Sequence, residues 1–376
     1  MKFTVSSQDL LRALVSVSRV VPVKPALPML SNFLLVLSKN VLTITASDAE
    51  TTLKTSIDID QVEEEGEIAL PAKLLTDSLK EFPEQPITFE AKQDENLMNI
   101  VWAAGASQIP TFLATDYPQL PELAEDATSV TVAQETLLDG INNTIYATAE
   151  EELRPVMNGI FFDMGPDSTT FVASDAHKLV CLTTEKVKVP EKASFILHKK
   201  PAMLLRGSLQ KIEDPVQIRF DKKNAYFDFE GTTMVCRLIE GNYPAYRTVI
   251  PKNNENKLYI ARMDMLNAVR RVAVWSSNQG MNFIKLKLSK DELAISAQDT
   301  NFQISAHEKV ACQYDGDEME IGFKSTFLEE ILANLPYEEI CILLADSCRA
   351  VLLVASEKKE GEDEICSLLM PLMINA

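Results

Sequence analysis

The chain has 376 residues, of which 46% are hydrophobic and 24% are charged, and it carries a formal net charge of −19. This length exceeds one ordinary hydrophobic core and predicts two or three domains, and the composition is that of a folded globular protein, which excludes a disordered chain. No apolar run approaches the roughly 20 residues that span a bilayer, and the acidic charge argues against tight nucleic-acid binding through clustered Lys and Arg.

Three segments of the chain begin with the same pattern, at Phe3, Val130 and Leu258, with offsets of 127 and 128 residues. Each pattern predicts a short alternating strand, a polar junction and then a helix with apolar residues on one face. The apolar helix positions are Leu10, Leu14 and Val17; Leu137, Ile141 and Ile145; and Met265, Val269 and Val272. Repetition at this spacing predicts a triplicated domain, because solenoid repeats are only about 20 to 50 residues long.

A run of alternating apolar and polar residues follows each helix and predicts antiparallel strands that are buried on one face. Within these runs, "ITASDAE", "FVASDAH" and "ISAQDTN" place Asp48, Asp175 and Asp299 at the same point of each copy, whereas His177 follows only the middle one. A recurring Asp is typical of a strand-end turn in which the carboxylate accepts hydrogen bonds from backbone N–H groups. We therefore interpret Asp175 as structural and His177 as a contact residue, which disfavours a catalytic pair.

A second helix and a Pro-containing turn complete each copy. The matching apolar positions are Leu75 and Leu79, Leu205 and Leu209, and Leu328 and Leu332. The polar stretches "AEDATS" and "KNNENK" predict boundaries that divide the chain into domains 1–127, 128–253 and 254–376. The predicted fold class is α+β, with two helices on antiparallel sheets in each domain. Three such domains suggest an arc that a symmetric dimer would close.

Sequence patterns for nucleotide hydrolysis and metal binding do not match this chain. In "GDEMEIGFKST" (316–326), five residues separate Gly316 from Gly322 and Phe323 precedes Lys324, which is not the spacing of a phosphate-binding P-loop. The chain has three His without an HExxH pattern, and its six Cys form no CxxC pair. We therefore predict no metal site, no cofactor and no disulfide framework. Scattered thiols of this kind are typical of a reducing cytoplasm.

Positive charge is concentrated on the predicted helices. The six helix windows together carry +4, so the rest of the chain carries −23. The basic residues of these windows include Lys199, Lys200, Arg206, Lys211, Arg270 and Arg271. This pattern fits a solvated helix face, and it fits equally a weak, sequence-independent contact with a polyanion. Separately, the apolar C-terminal "LLMPLMINA" predicts either a buried last strand or one wall of an apolar groove.

Seven short motifs, in this order and spacing, resemble the beta sliding clamp family of bacterial replicative DNA polymerase. They are "MKFTV" with "LLRAL", "KPALPML", "RPVMNGIFF", "ASDAHKL", "EGNYPAYRTVIP", "EMEIGF" and "MPL". The resemblance covers essentially the whole chain and implies a DNA-clamp fold. It implies that two three-domain protomers join head to tail, each forming half of a ring, with helices lining the hole. It also implies a non-catalytic processivity factor that encircles double-stranded DNA and tethers the replicative polymerase, the clamp loader and other partners.

The same resemblance implies three sets of site residues. The implied partner-peptide pocket comprises Arg154, Met157, Ser174, His177, Lys178, Leu179, Pro244, Val249, Leu368, Met370, Pro371 and Leu372. The implied DNA-facing residues are Lys24, Lys73, Lys199 and Lys200. The implied homodimer interface joins the strand at 106–112 to a helix end, and its residues are Ile109, Phe112, Val274 and Trp275.

A few positions depart from the family pattern. Ala176 replaces a Gly, Lys178 and Thr248 each replace an Arg, and the chain continues past "MPL" to "MINA". These changes alter the polar rim of the implied pocket. The rival hypothesis is a non-catalytic, triplicated protein-binding scaffold that does not encircle DNA. It differs by predicting that closed circular DNA is retained no better than linear DNA.

Overall fold

The computed structural model describes residues 1–92, 96–151, 153–276, 282–299, 303–359 and 361–373. The chain folds as two compact units. Unit 1 comprises Met1–Glu135 and Met203–Leu238, and unit 2 comprises Thr136–Ala202 and Ile239–Ala376. The second predicted repeat therefore contributes strands to both units. None of the described helices combines the length and the apolar character that crossing a membrane requires.

The described part of the chain contains two α-helices in each predicted repeat. They are α1 (Ser7–Ser18), α2 (Ala72–Lys80), α3 (Gln134–Asn142), α4 (Lys199–Leu209), α5 (Arg262–Ala273) and α6 (Ser325–Asn334). All the apolar positions predicted from the repeat are buried, which confirms the predicted core-facing side of each helix. Ile145 is also buried, but it lies in a short 3-10 turn (Ile145–Ala147) beyond the end of α3. The Gly and Asn residues near that end are poor helix formers.

The strands of the described residues are distributed over all three predicted repeats. Those of the first predicted repeat are β1 (Lys2–Ser6), β2 (Asn32–Ser38), β3 (Val41–Ser47), β4 (Thr51–Asp58), β5 (Gln61–Glu64), β6 (Gly66–Pro71), β7 (Pro86–Lys92), β8 (Leu97–Trp102) and β9 (Gly105–Pro110). Those of the second are β10 (Thr128–Val132), β11 (Gly159–Met164), β12 (Thr169–Ser174), β13 (Lys178–Thr184), β14 (Ala193–His198), β15 (Val216–Phe220), β16 (Asn224–Phe229) and β17 (Thr232–Arg237). Those of the third are β18 (Asn256–Ala261), β19 (Phe283–Ser289), β20 (Glu292–Asp299), β21 (Ile304–Ala311), β22 (Gln313–Asp315), β23 (Met319–Lys324), β24 (Glu339–Leu344), β25 (Val351–Ala355) and β26 (Glu364–Leu369).

Unit 1 contains a five-stranded sheet of order β5-β1-β7-β8-β9 and an eight-stranded sheet of order β10-β15-β16-β17-β4-β3-β2-β6. In the larger sheet β17 pairs antiparallel with β4, and Met234 lies opposite Leu53. The sheet is therefore continuous from the second predicted repeat into the first. Buried and more exposed residues alternate along many of its strands, as expected for antiparallel strands that cover a core on one side.

Unit 2 contains a nine-stranded sheet of order β14-β11-β12-β13-β26-β25-β24-β18-β22 and a four-stranded sheet of order β21-β20-β19-β23. Here β13 of the second repeat pairs with β26 of the third, and Leu179 lies opposite Leu368. Helix α3 approaches β12 closely, because a Cβ on Gly140 would lie 2.6 Å from the ring of Phe171. The antiparallel sheets and paired helices confirm the predicted α+β class.

The segment 316–326, whose glycine spacing does not match a P-loop, contains a strand followed by the start of a helix. Strand β23 ends at Lys324 and α6 begins at Ser325, with no glycine-rich loop between them. This confirms that "GDEMEIGFKST" is part of the repeated strand-to-helix pattern.

Candidate functional site

Asp175 closes the turn between β12 and β13. Its Oδ1 accepts hydrogen bonds from the backbone N–H of His177 at 2.9 Å and of Lys178 at 2.8 Å. In the first repeat, Asp48 Oδ1 accepts from the N–H groups two and three residues later, at 3.0 and 2.7 Å. The prediction of a repeated strand-end turn is therefore confirmed for these two copies. Asp299 is buried at the end of β20, but the residues that follow it in this turn lie outside the described part of the chain.

Both turns place an Ala in a backbone conformation that favours Gly. The φ angle is 72° at Ala176 and 81° at Ala49. A side chain in this left-handed region clashes with the adjacent carbonyl, which costs roughly 1–2 kcal/mol for an L-residue. Ala176 stands where the family pattern has Gly, so the substitution keeps the turn but adds backbone strain.

Lys178 fastens this turn to helix α6. Its side chain is only 5% exposed, and its Nζ lies 2.6 Å from Asp175 Oδ2 and 3.0 Å from Glu330 Oε2. The same ammonium lies 4.6 Å from the ring centroid of Phe327, on which the ring of His177 also stacks at 5.4 Å. The charge of Lys178 is thus neutralised inside the protein, and the residue positions the turn without presenting a free cation to a ligand.

An apolar cleft of about 320 Å³ opens beside this turn, within unit 2. The residues that line it are Met157, Ser174, Ala176, His177, Lys178, Leu179, Tyr243, Pro244, Ala245, Tyr246, Thr248, Val249, Leu368 and Met370. Leu179 and Leu368 are buried neighbours on β13 and β26 and form its floor, whereas Val249 and Met370 are exposed at its mouth. The cleft brings together nine of the twelve predicted pocket residues.

One wall of the cleft is aromatic and held rigidly. The rings of Phe161 and Tyr243 are stacked with their centroids 4.7 Å apart and an interplanar angle of 3°. Tyr246 donates its hydroxyl hydrogen to Asp163 Oδ2 at 2.7 Å, and Arg247 donates to the same oxygen at 2.9 Å. Burial, together with the Asp163 carboxylate, raises the pKa of Tyr246, so the phenol stays neutral and keeps donating.

Three predicted pocket residues lie outside the lining of this cleft. Arg154 donates from Nε and Nη2 to Glu151 Oε2, at 3.2 and 2.8 Å, so its guanidinium is occupied beside the 3-10 turn that carries Met157. The backbone N–H of Leu372 donates to the carbonyl of Gly322 at 2.8 Å. This bond draws the chain after Met370 toward β23, and Pro371 lies between the two.

Five lining residues were absent from the predicted set. They are Ala176, Tyr243, Ala245, Tyr246 and Thr248. All five lie inside two motifs that the sequence had singled out, "ASDAHKL" and "EGNYPAYRTVIP". Two Tyr close together in this motif were an available signal, because aromatic side chains are common in the lining of binding clefts.

The four predicted DNA-facing lysines lie on two different units. Lys24 is exposed in the loop after α1 and Lys73 is exposed in the first turn of α2, both in unit 1. Lys199 and Lys200 begin α4 in unit 2, and Lys199 Nζ lies 2.5 Å from Glu150 Oε1. The hydrogen bond and the charge of Lys199 lower the pKa of Glu150, so this lysine is paired with a carboxylate in the free protein.

The predicted dimer residues include exposed apolar side chains. Strand β9 is an edge strand of the five-stranded sheet, with its outer backbone side open among the described strands. Ile109 is buried within unit 1, whereas Phe112, just after β9, is exposed. At the end of α5 in unit 2, Val274 is 75% exposed and Trp275 is also exposed. Ile109 therefore packs inward, and only the other three side chains are accessible at the surface.

The cysteines are free thiols: Cys181, Cys236 and Cys341 are buried, Cys312 and Cys366 are half-buried and Cys348 is exposed. Among the residues that the structure describes, no three His, Cys, Asp or Glu side chains cluster closely enough to hold a metal ion. The lining of the cleft is mostly apolar and aromatic, and the hydroxyl of Ser174 donates to the carbonyl of Lys178. A lining of this kind suits the binding of an apolar segment.

Comparison with known proteins identifies the same protein family in each third of the chain. Residues 1–121, 131–245 and 247–372 match the N-terminal, central and C-terminal domain models of the DNA polymerase III beta subunit. The beta sliding clamp of Pseudomonas putida is 27% identical over 375 residues and covers 100% of both chains. That of Proteus mirabilis is 30% identical over 355 residues, covering 93% of this chain and 95% of its own. A crystal structure of the Pseudomonas aeruginosa DNA polymerase sliding clamp is 26% identical, with a TM-score of 0.93 and 100% coverage of both chains. The chain therefore belongs to the family of DNA polymerase III beta subunits, the bacterial beta sliding clamps.

Proposed function

We propose that this chain is a DNA sliding clamp, a non-catalytic processivity factor that encircles duplex DNA and tethers the replicative polymerase. The observation that carries the proposal is the match of three successive clamp domains, in order, to one chain. In this proposal the domains are 1–127, 128–253 and 254–376, and two protomers close a ring head to tail in the cytoplasm. The clamp loader and other partners with clamp-binding motifs act on the same ring.

A ring explains how an acidic protein with a net charge of −19 works on DNA. Non-specific contacts with DNA are weak, with dissociation constants of about 10⁻⁴ to 10⁻⁶ M at physiological salt. A closed ring needs no stronger contact, because topology prevents its escape while weak contacts let it slide. The exposed Lys24 and Lys73 supply contacts of this weak kind, and Lys199 and Lys200 add to them when a phosphate replaces Glu150 as the partner of Lys199.

The apolar cleft is the proposed docking site for partner peptides. Its floor is formed by Leu179 and Leu368, and its exposed apolar mouth includes Val249 and Met370. Each apolar anchor that enters such a cleft contributes roughly 1.5–3 kcal/mol. Two or three anchors supply roughly 3–9 kcal/mol, which the cost of association reduces, so the cleft suits weak and exchangeable binding by partners that take turns.

The proposed dimer seam pairs β9 of one protomer with the end of α5 in the other. Phe112 and Val274 are the exposed apolar side chains on the two sides, and Trp275 adds an aromatic ring. Pairing would cover an open strand edge, which is otherwise an aggregation hazard. Phe112→Asp should therefore give monomers in sedimentation without unfolding either unit.

The decisive experiment compares retention on closed and linear DNA. The protein is loaded onto circular duplex DNA and separated from free protein by gel filtration at physiological salt. We expect it to stay with the circle and to be lost after a single restriction cut, with Phe112→Asp lost from both. Equal retention on circular and linear DNA would refute encirclement and support the protein-binding scaffold.

Docking is tested separately with a polymerase-derived clamp-binding peptide. Met370→Ala should weaken its binding about 3- to 30-fold, since one partly exposed anchor is lost, and leave the dimer intact. Met263→Ala is the matched control, because this methionine of unit 2 is also partly exposed and lies outside the cleft lining. Equal effects of the two substitutions would contradict the proposed role of the cleft.

A further inference from the structure

A small notch in unit 1 lies between the ends of helices α1 and α4. It has a volume of about 190 Å³, and its residues are Ser16, Arg19, Gly207, Ser208, Lys211, Ile212, Phe229, Glu230 and Thr232. Two cations and one carboxylate line it, so its local charge is positive on a chain whose net charge is −19. Lys211 is one of the basic helix residues that the sequence singles out, but neither cation belongs to the DNA-facing set that the resemblance implies.

The two cations of the notch are available to a ligand. Arg19 and Lys211 are both exposed, and neither takes part in the ion pairs found among the described residues. This contrasts with Lys199, which is paired with Glu150. The hydroxyls of Ser16 and Ser208 donate to carbonyls of their own helices, to Ala13 and Leu204, so the two cations are the charged donors that the notch offers.

The position of the Arg19 guanidinium depends on the absence of a side chain at position 207. A Cβ on Gly207 would lie 2.5 Å from Arg19 Nη1, which is closer than two such atoms approach. Glycine in the last turns of a helix costs roughly 1 kcal/mol relative to alanine. The bare helix surface at Gly207 lets the guanidinium lie against α4, toward the same notch that Lys211 borders.

A structural role alone does not account for this arrangement. Arg19 follows the end of α1 and Lys211 follows the end of α4, where positive charge stabilises a helix. That effect requires only charge near each helix end. It does not require that the two cations face one concave space, nor that α4 carry a glycine where Arg19 crosses it.

We propose that this notch binds a backbone phosphate of duplex DNA, with Arg19 and Lys211 as the two cationic donors and Gly207 as the residue that admits Arg19. The inference rests on the proposed clamp function and names one specific contact within it. Guanidinium binds phosphate oxygens through paired N–H groups and ammonium binds them as a compact charge. A contact of this kind carries no sequence information, as sliding requires.

The test is the salt dependence of binding to a short linear duplex, measured by fluorescence anisotropy with the full chain. Each phosphate contact contributes a slope of about −0.9 to log K against log salt. Arg19→Gln with Lys211→Gln removes one phosphate contact and should therefore reduce the affinity ratio between about 50 and 200 mM salt by about 3.5-fold, and Arg19→Lys by much less. The matched control is Lys222→Gln with Lys223→Gln, which removes two exposed charges of unit 1 at the opposite end of β16.

Gly207→Ala is a second test, because it retains every charge and displaces only the guanidinium. We expect its slope to fall by up to about 0.9, while the melting temperature is unchanged or raised. An unchanged slope in this variant or in the double variant would overturn the notch as a phosphate site. An equal fall in the Lys222 and Lys223 control would overturn it too, because the effect would then be general charge.

Failure of the notch and failure of the clamp proposal give different results. If the wild-type protein and the notch variants all stay on circular DNA but their salt slopes are equal, the clamp stands and the notch is refuted. If the wild-type protein is not retained on circles, the clamp proposal fails whatever the slopes are. If the variants lose thermal stability without a change in slope, the two cations only neutralise helix ends and the inference is wrong.

Discussion

Replacement of Asp175 by Ala removes both functions of this carboxylate at once. The two backbone N–H groups of the turn lose their acceptor, and the ammonium of Lys178 loses its nearer partner at 2.6 Å. The side chain of Lys178 is 5% exposed, and its remaining partner Glu330 is 48% exposed and 3.0 Å away. Removing one partner of a buried pair costs roughly 3–5 kcal/mol. Because Glu330 still compensates in part, we expect unit 2 to lose about 3 kcal/mol.

The matched variant is Lys178→Met, which removes the buried charge and keeps much of the side-chain volume. Asp175 then retains its two backbone hydrogen bonds, and we expect a loss of only about 1 kcal/mol. In the double variant no unpaired ammonium remains in the interior. The double variant should therefore be more stable than Asp175→Ala alone, which corresponds to a coupling energy of about 2 kcal/mol.

Urea unfolding of unit 2 measures these energies separately from unit 1. The chain has two Trp, of which Trp102 lies in unit 1 and Trp275 in unit 2. A Trp102→Phe background that also carries Phe112→Asp, which is expected to keep the chain monomeric, makes the fluorescence of Trp275 report on unit 2 alone. A loss below about 1 kcal/mol for Asp175→Ala, or a double variant no more stable than it, would refute the role of Lys178 as an internally paired cation.

The remaining predictions concern packing, strain and titration. Ala176→Gly should stabilise unit 2 by about 1 kcal/mol in urea unfolding, because it relieves a φ of 72°; destabilisation would contradict the strain. Gly140→Ala should destabilise it by about 1–3 kcal/mol, since the new Cβ would lie 2.6 Å from the ring of Phe171. Burial and then the charge of a neighbouring carboxylate raise the pKa of Cys366 from 9.0 to about 11. The folded state thus holds this proton more tightly, so stability that is complete below pH 9 should fall by roughly 2–3 kcal/mol as the pH rises to 11, and Cys366→Ala should remove that part of the fall. At pH 8 iodoacetamide should alkylate Cys348, the exposed thiol, first, and mass spectrometry showing Cys366 modified equally fast would contradict its burial.

Local patterns in the sequence correctly predicted the elements of each repeat. Leu10, Leu137 and Met265 are buried. Their burial was predictable because backbone geometry alone fixes the helical period that places apolar residues on one face. The turn at Asp175 was predictable for a similar reason, since its hydrogen bonds reach only two and three residues along the chain. The same motif recurs around Asp48 in the first repeat, which indicates that the Asp is structural and not catalytic.

The predicted pocket set and the lining of the cleft overlap in part, and they differ where a residue is held by a contact that the motifs do not record. Arg154 is occupied by Glu151, and the backbone of Leu372 pairs with Gly322. A resemblance indicates which residue occupies each position of a motif, but it does not indicate which neighbours contact its side chain. Tyr243 lies beside the predicted residue Pro244 in the same motif. It was missed because its stacking partner, Phe161, is distant in sequence.

By itself, the sequence determined the triplication, the α+β class and the strand-end turns, because these depend on hydrophobic period and on hydrogen bonds between near neighbours. Only the tertiary structure decided which charges are free. Lys178 is basic in the sequence, yet Asp175 and Glu330 neutralise it, whereas Arg19 lies against Gly207 and pairs with no carboxylate in the described part of the chain. The physical reason is that the energy of a charge depends on the partners and solvent around it, and folding brings these together from distant parts of the chain.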